Sequence, residues 1–261
     1  MVDEGGPGAG LFGPVPGLRR PAVQPLPLPL ARPRPHGREV LRCQSVCLLR
    51  RESRDKVDPN GQEMTDYFDA MGHFLYSDGI NNGLIKITDQ EIIAIAQDIP
   101  SKQEAIQYLN DNSVLFHKAF YLGIMKKDAA LRVYEYYNKT GLPLVPDDNI
   151  TGNFDFNNKG VDNRIRISIN IEKNLTADKH GYTLDNYFDI DNALNAHEGN
   201  GHYNLYRIKG AYRYNAIPSY LREINAIKTQ MAAPSWNNTT QKYKEGVKRY
   251  YLQQLQKKSQ K

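Results

Sequence analysis

Two histidines flank a short glycine-rich segment, His197-Glu198-Gly199-Asn200-Gly201-His202, and a glutamate directly follows the first. Paired imidazoles with an adjacent carboxylate are the residue types that hold a zinc ion and take a proton from the water it activates. His197 and His202 are the expected ligands, and Glu198 the expected general base. The usual spacing is His-Glu-x-x-His; here the second histidine comes one residue later. On a regular α-helix five residues leave the two rings about 140° apart. One extra residue absorbed as a π-bulge realigns them. Gly199 and Gly201 ease such a distortion, although they weaken a regular helix.

A hydrolytic zinc centre needs a third protein ligand and an open fourth position. Glu223 is the best-placed candidate. It follows His202 with 20 residues between, on a helix opened by Pro218-Ser219 and running through Met231. The plain alternatives are a surface Glu223 paired with Arg222 or Lys228, and a satisfied polar pair of His197 with His202. Tyr206, Tyr212, Tyr214 and His180 are candidates for the second electrophile that steadies a transition state, and the sequence selects none of them. His73 and His117 read as structural, and His36 falls in the head.

Several elements must position these groups. Asp185 to Arg207 reads as the helix carrying the motif. Upstream, Arg164 to Ile171 alternates polar and apolar residues with period two, the clearest strand in the chain, with one face on a core. Residues 147–163, rich in Asp, Asn and Gly, read as a loop. Asp58-Pro59-Asn60-Gly61 reads as a turn. Phe68 with Phe74-Leu75, and Leu84 to Ile87, read as short strands separated by Asp78-Gly79 and Asn81-Asn82-Gly83. Thr88 with Glu91 and Ser101 with Glu104 fit capping boxes. Ile92, Ile93, Ile95 and Ala96 supply one helix face; Val114, Leu115, Ala119 and Leu122 supply another. Ala129 to Tyr137 reads as a helix, with Gly141 and Pro143 beyond it. A last helix over Gln241 to Gln256 carries Tyr243, Val247, Tyr250, Tyr251 and Leu255 on one side. The expected fold class is α+β: a mostly helical body over 89–261, a β-rich lead-in over 56–88, and an edge strand upstream of the metal-binding helix.

Composition bounds the function classes. The 261 residues are 40% hydrophobic and 24% charged, with a net charge of +5. Mean hydropathy is −0.63. That balance suits a globular chain, and the dispersed basic residues make no case for nucleic acid. No apolar run approaches the roughly 20 residues a membrane span needs. Residues 1–17 lack the apolar core of a signal peptide. The head, 1–55, holds 9 of the 15 prolines, nine Arg and no Lys, and reads as extended and disordered. Cys43 and Cys47 are the only cysteines, too few to complete a metal site.

The hexapeptide is similar to the His-Glu-x-x-Gly-His motif of dipeptidyl-peptidase III enzymes, which bind zinc through both histidines and a downstream glutamate. That resemblance covers six residues, and this chain lacks the paired acidic residues of that family's second motif. A longer stretch, His197 to Gly210 with Pro218, Arg222-Glu223-Ile224-Asn225-Ala226-Ile227 and Pro234-Ser235-Trp236, resembles the zincin-like metallopeptidase toxin domains that end bacterial RHS-repeat polymorphic toxins. Tyr67-Phe68-Asp69, Gly72, Phe74-Leu75 and Asp78-Gly79 resemble the junction preceding such toxins. The resemblance implies a zinc-dependent peptidase effector acting on a protein or peptide, delivered by a larger carrier and neutralised by an immunity protein. The strand at 164–171 lies upstream of the motif, where the glutamate-ligand zinc peptidases place an edge strand that pairs with extended substrate. The head does not resemble an RHS core. The competing expectations are an inactive zincin-like scaffold serving as a binding module, and a domain in which metal is purely structural.

Overall fold

The computed structural model describes residues 65–80, 82–158, 164–176 and 182–260. The chain divides into two units, Met1–Arg50 and Arg51–Lys261, and every described residue belongs to the second. The head, the cysteine pair, the turn at 58–61, His36 and His180 lie outside the described residues.

The fold is α+β. Strands β1 (Asp66–Phe68), β2 (Phe74–Ser77) and β3 (Ile85–Ile87) form the expected lead-in. Helices α1 (Gln90–Asp98) and α2 (Lys102–Asp111) follow. The Ser101 side chain caps α2 by accepting from the Glu104 amide. Thr88 is not a cap: its hydroxyl donates to the Asn112 carbonyl, and Asp89 stands at the start of α1. Val114 and Leu115, expected in a helix, form β4. They pair with Ile87 and Lys86 and complete a sheet of order β2-β1-β3-β4, so strand pairing overrides the local helical pattern. Ala119 is buried as expected in α3 (Phe116–Tyr121), but Leu122 beyond it is 64% exposed.

Helix α4 (Lys127–Tyr137) leads to a second sheet. The strand expected at 164–171 is β7 (Arg166–Ile169), and it is central rather than an edge. Strand β5 (Leu144–Pro146) lies parallel to it on one side, and β6 (Phe154–Asn157) antiparallel on the other. Ile167, Ser168 and Ile169 are all buried. The edges of this sheet, both upstream of the motif, are β5 and β6, and β6 falls inside the segment read as a loop. Its signal is the buried pair Phe154 and Phe156 at period two, masked by the Asp and Asn around them.

The rest is helical. After α5 (Ile171–Leu175) and α6 (Tyr187–Ile190) comes a π-helix over Asp191–Tyr203, then α7 (Asn204–Ala216) and α8 (Ser219–Ala232). A 3-10 turn (Pro234–Asn238) precedes α9 (Gln241–Ser259). Within α7, Gly210 takes φ 75°, a left-handed value that other residues adopt only under strain, and the helix kinks there. One apolar cluster joins both sheets and these helices: Phe68, Ile85, Ile167, Leu194, Ile227 and Tyr243 all belong to it. The lead-in thus shares its core with the helical body. Leu194 is fully buried, worth about 1.5–3 kcal/mol, and it anchors the motif helix to that core. Among the described residues no helix is long and apolar enough to cross a membrane.

Candidate metal centre

The extra residue between the histidines is absorbed by a whole π-helix rather than by a single bulge. The Asn204 amide donates to the Gly199 carbonyl five residues back, and in that pattern residues i and i+5 stack on one face. His197 and His202 consequently converge, with their Nε2 atoms 3.2 Å apart. Gly201 contributes something the spacing did not reveal. A Cβ there would lie 2.7 Å from the Cα and Cβ of Ala226, so α8 packs straight onto the π-helix backbone. That contact brings Glu223, three residues before Ala226, up to the imidazoles.

Glu223 Oε2 lies 3.5 Å from His197 Nε2, and Glu223 Oε1 lies 3.3 Å from His202 Nε2. Among the described residues its ion pairs are with these two rings. Arg222 instead lies over the Tyr214 ring, 4.7 Å from its centroid. A tetrahedral ion with bonds of about 2.0–2.1 Å has ligand atoms about 3.3–3.4 Å apart. The 3.2 Å between the two nitrogens, and the 3.3 and 3.5 Å from them to the two different oxygens of Glu223, lie near that edge length. Glu198 Oε1 sits slightly farther off, 4.0 Å from His197 Nε2. His197, Glu198 and His202 form a group able to hold a metal ion.

A surrounding layer fixes both rings. His197 Nδ1 is 2.9 Å from Gln230 Oε1, while the Gln230 amide nitrogen donates to the Tyr243 hydroxyl. A carbonyl oxygen only accepts, so Nδ1 carries the proton and Nε2 faces the cluster. His202 Nδ1 is 3.1 Å from the Tyr214 hydroxyl, and Phe156 of β6 lies parallel to the His202 ring within 3°. The Tyr250 hydroxyl donates to Glu223 Oε2 at 3.2 Å. Of the sequence candidates for a second electrophile, Tyr214 is at the site, and Tyr206 packs against Tyr214 and Phe156. Tyr212 is not brought there; it is 88% exposed. Gln230, Tyr250 and Phe156 escaped the sequence reading. Gln230 alone was within its reach, two helical turns after Glu223 on the same face.

Two carboxylates beside the imidazoles shift the titration of the cluster. Burial disfavours a charged His197, but the Glu223 hydrogen bond and the Glu198 charge outweigh it and hold the imidazole pKa up to about 9. Burial likewise works against the Glu223 carboxylate, and the two imidazoles overcome it, pulling its pKa far below the usual range. Surroundings that retain a proton this firmly also favour a metal ion in its place. Glu198 differs. Burial pushes its pKa up, and its buried Oε2 has no hydrogen-bond partner among the described residues.

His73 and His117 are occupied elsewhere, paired with Asp69 and Asp185.

Among family models, curated proteins and solved structures, none matches this chain.

Proposed function

We propose that the chain is a zinc-dependent peptide-bond hydrolase in which His197, His202 and Glu223 hold the metal and Glu198 is the general base. The observation that carries this reading is the convergence of two imidazole nitrogens and the Glu223 carboxylate, one oxygen near each ring, beside a buried Glu198 oxygen that has no partner among the described residues. Bound there, zinc supplies Lewis-acid polarisation of a carbonyl and makes water a competent nucleophile near neutral pH. Glu198 would take a proton from the attacking water and pass it to the leaving amine nitrogen. Its burial supports the role, because a raised pKa brings a carboxylate closer to the working pH. Gln230 and Tyr214 keep the imidazoles aimed, and Tyr250 steadies Glu223. Two imidazoles and one carboxylate suit zinc among the transition metals.

The resemblance of residues 197–236 to RHS-associated toxin domains extends the proposal to an effector that attacks a protein or peptide and is restrained by an immunity protein. A structural zinc is the weaker reading, since such sites are closed by four protein ligands whereas Glu198 Oε2 is left unpaired among the described residues.

The test is metal content by mass spectrometry on the full chain, for wild type and His202→Ala, followed by hydrolysis of a protein substrate. About one zinc per chain, lost in the variant, with hydrolysis abolished in Glu198→Ala, is the expected result. Wild type without metal after zinc is supplied, or an active Glu198→Ala, overturns the proposal.

A further inference from the structure

The face of the π-helix carrying Asp191, Asn195, Gly199 and Tyr203 borders a cavity of about 550 Å³. None of His197, Glu198, His202 or Glu223 lines it. Its other walls are the turn at Lys139-Thr140 and the 3-10 turn at Pro234–Asn238. Size and concavity suit a small molecule.

The lining states what kind. Its one carboxylate, Asp191, is already matched by the Lys139 ammonium at 3.2 Å, which also donates to the Tyr187 hydroxyl at 2.7 Å. Arg207 is the surplus charge. Its guanidinium lies over the Tyr203 ring, 5.8 Å from the centroid, with no carboxylate partner among the described residues. A guanidinium beside an aromatic face and without a carboxylate partner keeps its planar fork of donors for an incoming anion. The amides of Asn200, Asn204 and Asn238 line the same space, and all three side chains are exposed. They supply donors and acceptors for the remainder of a polar ligand.

We propose that this cavity is a second binding site, on the opposite side of the metal-holding helix, for a small polar anion bearing a carboxylate or phosphate, with Arg207 as the charged anchor. The site does not depend on the hydrolase reading.

The chain carries its own reporter. Trp236, its single tryptophan, sits between the lining residues Ser235 and Asn238. The full chain is titrated with citrate, inorganic phosphate, maltose and, at matched ionic strength, sodium chloride. Trp236 fluorescence and calorimetric heat are followed together. The expected result is saturable binding of citrate or phosphate, absent with chloride, and weakened about tenfold or more in Arg207→Ala. Whichever anion binds more tightly identifies the source of the charge. Arg207→Gln, which keeps much of the side-chain length, repeats the test if alanine disturbs the fold. The proposal is overturned by binding of maltose alone, by no saturable response to either anion in both readouts, or by equal anion binding in folded Arg207 variants.

Discussion

The Tyr250 hydroxyl stands 3.2 Å from Glu223 Oε2, so the last described helix touches the carboxylate that faces both imidazoles. Tyr250→Phe removes this donor and leaves the ring in place. Groups that orient a metal ligand typically contribute about 10–100-fold to metal affinity. Zinc affinity, measured by competition with a chromophoric chelator, is expected to fall within that range while the circular dichroism spectrum stays unchanged. Unaltered affinity would show that Tyr250 is a bystander.

Glu198 makes a different prediction. Its Oε2 is buried without a partner among the described residues, and burial disfavours its charge. Glu198→Gln keeps the shape and removes the charge. The variant should retain zinc, lose about 10²–10⁴-fold in hydrolysis, and melt at a higher temperature than wild type. A melting temperature below that of wild type in the metal-free protein would contradict the account of Glu198 as a strained, unpaired group.

Gly201 tests the approach of the two helices. A methyl group there would meet the Cα and Cβ of Ala226 at 2.7 Å. Gly201→Ala is expected to destabilise the fold by about 1–3 kcal/mol in denaturant unfolding, the usual cost of overpacking. It should also weaken metal binding by moving Glu223 off the imidazoles. Wild-type stability in the variant would mean that α8 does not need this close contact.

Two carboxylates away from the candidate metal centre, the buried Asp189 and the partly buried Asp66, set a pH dependence. Burial raises Asp189 to about 7 against its hydrogen bonds from Thr240, and burial raises Asp66 to about 6 against those from Ser77 and Tyr137. Over this range the folded state keeps protons that the unfolded chain releases near 3.8. The stability this contributes is complete below about pH 4 and is lost as pH rises through 6 to 7. Thermal melts of metal-free protein should show that fall, with a shallower slope in Asp189→Asn. Identical slopes for variant and wild type would refute the linkage.

Much of the centre was legible because its signals are local. The His197 to His202 spacing demands π geometry, and the helix after Pro218 is marked by its own sequence. What stayed hidden depends on contacts between distant segments. Strand β6 looks like a loop because Asp155 and Asn157 are polar, and only burial of Phe154 and Phe156 reveals it. Val114 and Leu115 fit a helix until β3 offers them a free edge. Tyr250 belongs to an apolar stripe whose periodicity says that it packs, not that its hydroxyl reaches a carboxylate. Tyr212, with the same residue type as Tyr214 and two positions earlier, shows the limit of reading by type alone: Gly210 breaks the helix, and only Tyr214 is directed to His202.

The hydrogen bonds from α9 bear on the order of events during synthesis. Every side chain that faces the metal position has been made once Glu223 is added. Tyr243, which fixes Gln230 behind His197, and Tyr250, which holds Glu223, come later. A nascent chain therefore carries its donors before it carries the means to align them. Alignment of the two imidazoles and Glu223 is completed only after α9 has joined the fold.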